Sequence, residues 1–170
     1  MAAQRYPVRL AGIILAAVVL AGCGWQLRGA AGGGLEGVPI ALEGGVGNRL
    51  LERVGAELRS LGAERVSAAG AARHVLSVED AERRRRTVAT DARGFAVEYE
   101  LSYRLRFRIR PGGLAEPEVV TGPVQTVRTR VDYPVDPDNL QAAQAEEDAL
   151  VEDLQNDAIR LMLARLARSR

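Results

Sequence analysis

The chain has 170 residues, of which 47% are hydrophobic and 26% are charged, and its formal net charge is +1. These values are typical of one globular domain and exclude a disordered chain. A single cysteine and a single histidine exclude a disulfide framework and a Cys/His zinc cluster. All 23 basic residues are arginine, so enzymes that depend on a phosphate-binding or Schiff-base lysine are excluded as well.

The first 22 residues have the pattern of a secretory signal peptide. Arg5 and Arg9 precede an apolar run of 11 residues, from Leu10 to Leu20, and small residues follow it. This run is about half as long as a membrane-spanning helix requires. We therefore predict that residues 1–22 are a signal peptide that is removed on export.

A short motif ends this segment. The sequence Leu20-Ala21-Gly22-Cys23 resembles the lipobox of bacterial lipoproteins. The resemblance implies cleavage before Cys23, a diacylglycerol thioether on its sulfur and an acyl chain on its new amino group. Three acyl chains would anchor the protein stably, because each buried methylene contributes about 0.8 kcal/mol. By the same resemblance, Gly24 at the position where inner-membrane lipoproteins have aspartate implies the outer membrane. The alternative is a structural cysteine buried in the fold.

Residues 23–37 are predicted to form a flexible tether that begins with the lipidated cysteine. Glycine and alanine dominate this segment, and the glycines at 32–34 are consecutive, which makes an ordered structure costly. Trp25 and Leu27 could contact lipid headgroups or dock on the domain or a partner. We expect one α+β domain over residues 38–170.

The domain begins with a strand and a helix. We expect a short strand over residues 38–42, and Pro39 places it at an edge of the sheet. Asn48 is a candidate N-cap for a helix over residues 49–61, and Gly62 is a natural residue to end it.

A long alternation is the clearest pattern in the domain. Every odd position from Phe95 to Ile109 is apolar, and six of the seven even positions between them are polar. This pattern predicts a half-buried antiparallel strand. A strand near residue 73 precedes it, and a strand over residues 119–133 follows, with Gly122-Pro123 indicating a bulge and an edge position.

A second helix over residues 139–167 completes the element order β-α-β-β-β-α. The order predicts an α+β, two-layer sandwich: a four-stranded, mostly antiparallel sheet with two helices on one face. The acidic residues 146–148 are expected to form a solvated face of this helix.

An arginine-rich hairpin is the candidate binding region. A tight turn at residues 91–94 pairs the two central strands, and the predicted register places Tyr99 opposite Arg84 or Arg85. Four consecutive arginines put two side chains on each face, and a buried unpaired arginine is costly. This end of the hairpin should therefore project past the helices. Its candidate contact residues are Arg83, Arg84, Arg85, Arg86, Arg93 and Tyr99.

Three interpretations of this hairpin stay open. The arginines could be solvated, with one stacked on Tyr99 and others paired with Glu98 or Glu100. They could bind a protein partner or an anionic lipid, because arginine binds phosphate bidentately. In a cytosolic protein the run would suggest nucleic acid. In an exported protein the abundant polyanion is lipopolysaccharide, so no nucleic acid partner is expected. Arg104, Arg106 and Arg108 are expected on the outer face of the sheet.

No catalytic constellation is present in the sequence. His74 lies in a predicted strand without an acid or nucleophile beside it, so we expect a structural role. Glu79, Asp80 and Glu82 lack the spacing of a calcium loop. The glycine clusters lack the context of a nucleotide site. We therefore expect neither an enzyme nor a metal or cofactor site.

The residues at the acylated end carry a family resemblance. Cys23-Gly24-Trp25-Gln26-Leu27-Arg28-Gly29 resembles the start of the lipopolysaccharide-assembly lipoproteins (LptE), and the chain length and element order agree. The resemblance implies a non-enzymatic subunit of the outer-membrane lipopolysaccharide translocon, anchored on the periplasmic side. Such proteins sit in the lumen of a β-barrel partner (LptD), help it to assemble and bind lipopolysaccharide. The alternative is a scaffold lipoprotein of envelope assembly that does not recognise lipopolysaccharide.

Overall fold

The computed structural model describes residues 34–113, 122–136 and 138–169, which belong to one compact unit. The predicted signal peptide, Cys23 and most of the predicted tether lie outside these residues. The tether prediction is wrong for its last residues, because Leu35 is buried in the core and the Gly37 N–H donates to the Gly62 carbonyl at 2.9 Å. The elements in chain order are β1 (Pro39–Gly44), α1 (Asn48–Ser60), β2 (Glu64–Val66), a 3-10 turn (Ala69–Ala71), β3 (His74–Thr90), β4 (Ala96–Pro111), β5 (Gln125–Pro134) and α2 (Leu140–Arg168).

The sheet has five strands in the order β2-β1-β3-β4-β5, and it is mixed. β1 runs parallel to both β2 and β3, whereas β4 runs antiparallel to both β3 and β5. The prediction of four, mostly antiparallel strands is therefore wrong in the number of strands and in their direction, because two of the four strand pairs are parallel. The additional strand, β2, has three residues, which is too short to show any alternation.

Strand β1 is an inner strand, so its predicted edge position is wrong. β2 pairs along one side of it and β3 along the other. Pro39 is tolerated because it is the first residue of β1, a position where proline is acceptable. Its carbonyl still accepts a hydrogen bond of 2.8 Å from the backbone N–H of Arg73.

Both helices were located correctly by their apolar spacing, to within about one residue. α1 begins at Asn48 itself, so Gly47 is its N-cap and the predicted cap is wrong. Gly62 follows the helix with φ of +77°, a conformation that glycine adopts without strain. At the start of α2, the Asn139 side chain accepts a 3.3 Å hydrogen bond from the N–H of Ala142.

The two helices cover one face of the sheet, as predicted, and one apolar core lies between the layers. Its largest fully buried side chains come from both layers: Ile40, Leu76, Leu101, Leu105 and Phe107 from the sheet, and Leu58, Ile159, Met162, Leu163 and Leu166 from the helices. On the opposite face a small second cluster joins Ala41, Ala72 and Val75 near the 3-10 turn. The rest of that second face is free of helices in the described residues.

The turn between β3 and β4 lies where the sequence predicts it. The Asp91 carboxylate accepts the backbone N–H groups of Arg93 and Phe95, each at 2.9 Å. Gly94 has φ of +87°, which the tight turn requires and glycine supplies.

The register of this hairpin differs from the prediction. Tyr99 pairs with Thr87 and not with Arg84 or Arg85. The difference arises at the turn itself, where the first pair is Thr90 with Ala96. The irregularities near residue 88 of β3 and residue 97 of β4 cancel each other before Tyr99, and a third, near residue 79 of β3, lies farther from the turn. Arg85 and Thr87 are two residues apart, so Tyr99 still lies on the side of the sheet that was predicted. Odd positions face the helices in β4 and in β3 after the irregularity near residue 79, whereas before it Leu76 and Val78 face the core.

Strand β5 is an edge strand, as predicted, but its predicted bulge is wrong. The β4–β5 ladder runs without a register shift from the pair Glu98–Pro134 to the pair Phe107–Gln125. Gly122 precedes the strand, and a Cβ there would lie 2.2 Å from the Ile109 carbonyl oxygen. Gly122-Pro123 therefore lies before the strand and not within it, because β5 begins at Gln125. Residues 119–121 of the predicted strand lie outside the described part of the chain.

Candidate anion-binding site

The helix-free face of the sheet carries a dense set of arginines. Because side chains alternate along a strand, the residues of β3, β4 and β5 that do not face the core all project from this face. They include eight arginines: Arg84, Arg86, Arg104, Arg106, Arg108, Arg110, Arg128 and Arg130. The expectation that Arg104, Arg106 and Arg108 lie on the outer face is confirmed.

Strand register arranges part of this face in three rows across β3, β4 and β5. The rows are Arg86, Glu100 and Asp132; then Arg84, Ser102 and Arg130; then Glu82, Arg104 and Arg128. The central row has an arginine on each side of a serine.

A groove of about 780 Å³ lies over these rows. Six of its eleven lining residues are arginine and two are glutamate, so its lining carries a net charge of +4. We call it the arginine groove; its lining residues are Glu82, Arg84, Arg85, Arg86, Glu100, Ser102, Tyr103, Arg104, Arg128, Thr129 and Arg130.

The glutamates of the arginine groove are already bound to arginines. The Glu82 carboxylate accepts hydrogen bonds from Arg84 and Arg104, and the bond from Arg84 is the main reason that its pKa lies below the usual value. Glu100 pairs with Arg86 at 3.2 Å. These two carboxylates do not balance the six positive charges of the groove lining.

The two arginines from β5 have no such partners. Among the residues that the structure describes, neither Arg128 nor Arg130 makes an ion pair, and both are exposed. Adjacent strands are about 4.8 Å apart, so the backbones of Arg84 and Arg130 lie roughly 10 Å apart. Two arginine side chains at that spacing can converge on one anion above the Ser102 hydroxyl. Guanidinium groups bind phosphate oxygens bidentately, so a phosphate group suits this arrangement.

Comparison with known proteins identifies the family. The family model for lipopolysaccharide assembly, LptE, matches residues 37–166. This chain belongs to the LptE family. The resemblance seen at Cys23–Gly29 is thus confirmed by a match to a different part of the chain. The LptE family acts in lipopolysaccharide assembly and is non-enzymatic.

Three solved structures are similar to this LptE-family chain. The rare lipoprotein B from Shewanella oneidensis has 24% identity and a TM-score of 0.67, over 77% of this chain and 95% of its own. An uncharacterized lipoprotein B from Nitrosomonas europaea has 23% identity and a TM-score of 0.67; the match covers 85% of this chain and 90% of that protein. A minor lipoprotein from Acinetobacter baumannii has 17% identity and a TM-score of 0.62; the match covers 80% of this chain and 95% of that protein. These identities establish a shared fold, and no curated protein matches the chain.

On the helix side of the sheet, the other two arginines of the run meet a buried carboxylate. Glu147 of α2 is 5% exposed and lies 2.6 Å from Arg85 and 3.9 Å from Arg83. The Tyr133 hydroxyl donates to the same carboxylate at 2.9 Å. The Arg85 guanidinium also lies 4.7 Å from the centre of the Tyr99 ring. We call this set the Glu147 cluster.

The environment of the Glu147 cluster shifts two pKa values. Burial opposes ionisation of Glu147, but the hydrogen bonds from Arg85 and Tyr133 outweigh it, and the pKa of Glu147 lies below its usual value. Burial and the neighbouring Glu147 raise the pKa of Tyr133 to about 12. The expectation of a solvated helix face at residues 146–148 is therefore wrong for Glu147.

The six arginine-hairpin candidates fall in three places. Arg84 and Arg86 lie on the helix-free face, in the arginine groove. Arg83, Arg85 and Tyr99 belong to the Glu147 cluster, although Arg85 also borders the groove. Arg93 is at the turn, where its guanidinium lies 5.2 Å from the Phe95 ring centre. The stacking on Tyr99 and the pairing of Arg86 with Glu100 match the solvated-hairpin interpretation.

Sequence reasoning missed the groove residues of β5 and the buried glutamate. Arg128 and Arg130 could have been found, because they alternate with the apolar Val127 and Val131. Glu147 carries no such signal, because in the sequence it is one of three adjacent acidic residues, and its neighbours Glu146 and Asp148 are exposed.

The described residues offer little for other chemistry. Burial, and then the charge of Arg73, lower the pKa of His74. Within residues 34–113, 122–136 and 138–169, no cluster of three metal-binding side chains occurs. None of the helices in these ranges combines the length and apolarity needed to cross a bilayer.

Proposed function

We propose that this chain is a lipid-anchored subunit that works with an LptD-like β-barrel in lipopolysaccharide assembly, and that the arginine groove binds lipopolysaccharide phosphates. The family match supports the role in assembly. The observation that carries the binding proposal is the groove itself, with six arginines against two glutamates.

The anchor in this proposal is Cys23. Acylation of its sulfur and amino group holds the protein at the periplasmic side of the outer membrane, and the residues between Cys23 and Gly34 act as the tether, since Leu35 is buried in the domain core. The support is the lipobox-like sequence after a signal-peptide pattern. Several acyl chains are needed because one chain alone binds a membrane only marginally.

The β-barrel partner would receive the domain in its lumen and gain support for its own assembly. A sheet with one face buried and the other rich in arginine suits a polar barrel interior better than a lipid-exposed position. No catalytic role is included, since the charged side chains of the groove are held in ion pairs or exposed to solvent.

Within the groove, Arg84 and Arg130 are the proposed main contacts of a phosphate, with Arg86, Arg104 and Arg128 around them. Arg83 and Arg85 contribute positive charge, but Glu147 already holds them. Charge-assisted hydrogen bonds are roughly twice as strong as neutral ones, so two converging guanidiniums give a site of useful affinity.

The test compares lipopolysaccharide binding by the full chain and by the double variant Arg84→Ser, Arg130→Ser. We expect about tenfold weaker binding at low salt, from the loss of roughly 1.4 kcal/mol, and a smaller loss at high salt because screening already weakens the native protein. The matched control is Arg160→Ser, an exposed arginine of α2 that pairs with Asp157. Equal binding by all three proteins would discard the groove.

Co-purification separates the two candidate roles. With the acyl anchor intact, capture of the chain from detergent-solubilised outer membrane should recover a large β-barrel together with lipopolysaccharide. Recovery of the barrel with no lipopolysaccharide would favour the alternative, a scaffold lipoprotein. Recovery of neither would contradict the proposed function as a whole.

A further inference from the structure

The end of the β3–β4 hairpin is apolar and lies directly beyond the arginine run. In the eleven residues 87–97, only Asp91 and Arg93 are charged. These two pair with each other at 3.0 Å, so this segment carries no net charge. We call residues 87–97 the hairpin tip and Arg83–Arg86 the arginine collar.

The hairpin tip exposes large apolar side chains. Phe95 is 54% exposed and Val88 is 46% exposed. Only one other large apolar side chain in the described residues is similarly exposed, Leu161 at 48%, and it lies on α2. Exposed apolar side chains at the end of a β-ribbon are costly in water unless a partner covers them.

We infer that the hairpin tip inserts into the headgroup region of a bilayer that contains anionic phospholipids, and that the arginine collar binds their phosphates. This goes beyond the proposed function, because the hairpin tip lies outside the arginine groove, although Arg84, Arg85 and Arg86 of the collar also line that groove. The occupant is a lipid layer, and its recognition needs both an apolar tip and a cationic collar.

The dimensions of the hairpin fit this occupant. Strands rise about 3.3 Å per residue, so Val88 lies roughly 10 Å and Arg86 roughly 17 Å from the turn at Asp91. Interfacial segments are buried about 5–10 Å into the headgroup and acyl boundary. Insertion to the depth of Val88 therefore brings Arg86 close to the level of the phosphates.

Charge supports the same occupant. The side chains of Arg84 and Arg86 are each 70% exposed and those of Arg83 and Arg85 about half exposed. Arg83 and Arg85 share one carboxylate, that of Glu147, so the collar keeps a positive excess. At the tip, Arg93 lies over the Phe95 ring and can extend its charged end toward phosphates while its stem stays on the ring.

The test places a fluorescent probe at the tip and an identical probe at a matched site. In the full chain, Trp25→Phe removes the single tryptophan. Phe95→Trp then reports on the hairpin tip, and Leu161→Trp reports on an equally exposed apolar site of α2. Each protein is mixed with vesicles of phosphatidylglycerol and phosphatidylcholine whose acyl chains carry bromine, a quencher of tryptophan fluorescence.

We expect the probe at position 95 to be quenched several-fold more than the probe at 161, with a blue shift of its emission. The difference should shrink in vesicles of phosphatidylcholine alone. Val88→Trp is a second tip probe that keeps the test decisive if the Phe95 variant does not fold. Equal quenching at tip and control sites would overturn the inference. So would a tip probe that lipids do not quench but that shifts blue on binding a purified barrel, since the occupant would then be a protein pocket.

Discussion

The Glu147 carboxylate of α2 accepts a 2.6 Å hydrogen bond from Arg85 of β3, a residue 62 positions earlier in the chain. The same carboxylate accepts the Tyr133 hydroxyl from β5. One buried glutamate thus joins the long helix to two strands at the base of the projecting hairpin. It also pairs with Arg83 and Arg85, two of the four consecutive arginines. The other two, Arg84 and Arg86, project from the opposite face of the sheet because side chains alternate along a strand.

Removing this carboxylate should destabilise the domain. Glu147→Ala leaves the buried Tyr133 hydroxyl without its acceptor and Arg85 without its ion-pair partner. We expect a loss of about 2 kcal/mol, toward the low end for buried charged pairs because Arg85 is half exposed and can be rehydrated. Urea unfolding followed by circular dichroism measures it. Glu146→Ala, at an exposed neighbouring position, should change stability by less than about 0.5 kcal/mol; equal losses in both variants would contradict the account.

The stabilisation from Glu147 should depend on pH at the acidic end. Because its pKa is lowered in the folded protein, its contribution is present above the unfolded value of 4.5 and is lost as pH falls through the folded value. The native protein should therefore lose more stability than Glu147→Gln as pH falls from neutrality to well below 4.5. Parallel pH profiles for the two proteins would show that Glu147 does not titrate in this way.

The stabilisation from Tyr133 should depend on pH in the alkaline range. Its pKa is raised to about 12 in the folded protein, against 10.0 for an ordinary tyrosine. Its contribution is complete below pH 10.0 and is lost as pH rises toward 12, by roughly 1.4 kcal/mol at one unit above the unfolded value. Comparison of Tyr133→Phe with the native protein in urea, at neutral pH and near pH 11, measures this loss. The prediction fails if the stability difference between the two proteins is the same at both pH values.

A glycine after β4 should be irreplaceable. A Cβ on Gly112 would lie 2.1 Å from the carbonyl oxygen of Ala72, a backbone atom that cannot move aside cheaply. The Gly112 N–H also donates to the Arg73 carbonyl at 3.0 Å. We expect Gly112→Ala to cost about 2 kcal/mol. Gly70→Ala, where nothing lies within 4 Å of the added Cβ, is the control and should be nearly neutral; a thermal shift of the same size in both would contradict the close approach.

The sequence predicted much of the fold because its strongest patterns are local. The apolar spacing in α1 and the alternation through Phe95–Ile109 depend on neighbours within the same element. The three-residue strand β2 and the bulges of β3 leave no periodic trace in the sequence. β2 occupies the edge that was predicted for β1. A bulge is decided by the pairing of two strands, which neither strand's own sequence specifies.

The candidate site was predictable only in part for the same reason. Because successive side chains of a strand point to opposite faces, the prediction of two arginines on each face of β3 is correct. The partners that distinguish the faces come from distant positions: Glu147 from α2 on one side, and Arg128 and Arg130 from β5 on the other. Which arginines remain available for an anion is therefore a property of the sheet register.

Photo-crosslinking in living cells tests the central claim most directly, namely that the arginine groove contacts lipopolysaccharide. A photoreactive amino acid in place of Arg128 lies at the edge of the groove, beside Arg104 and away from the proposed main contacts. Its counterpart in place of Arg160 lies on the exposed side of α2. The account predicts a lipopolysaccharide adduct on irradiation from position 128 and little or none from position 160. No adduct from position 128, or equal adducts from both positions, would contradict it.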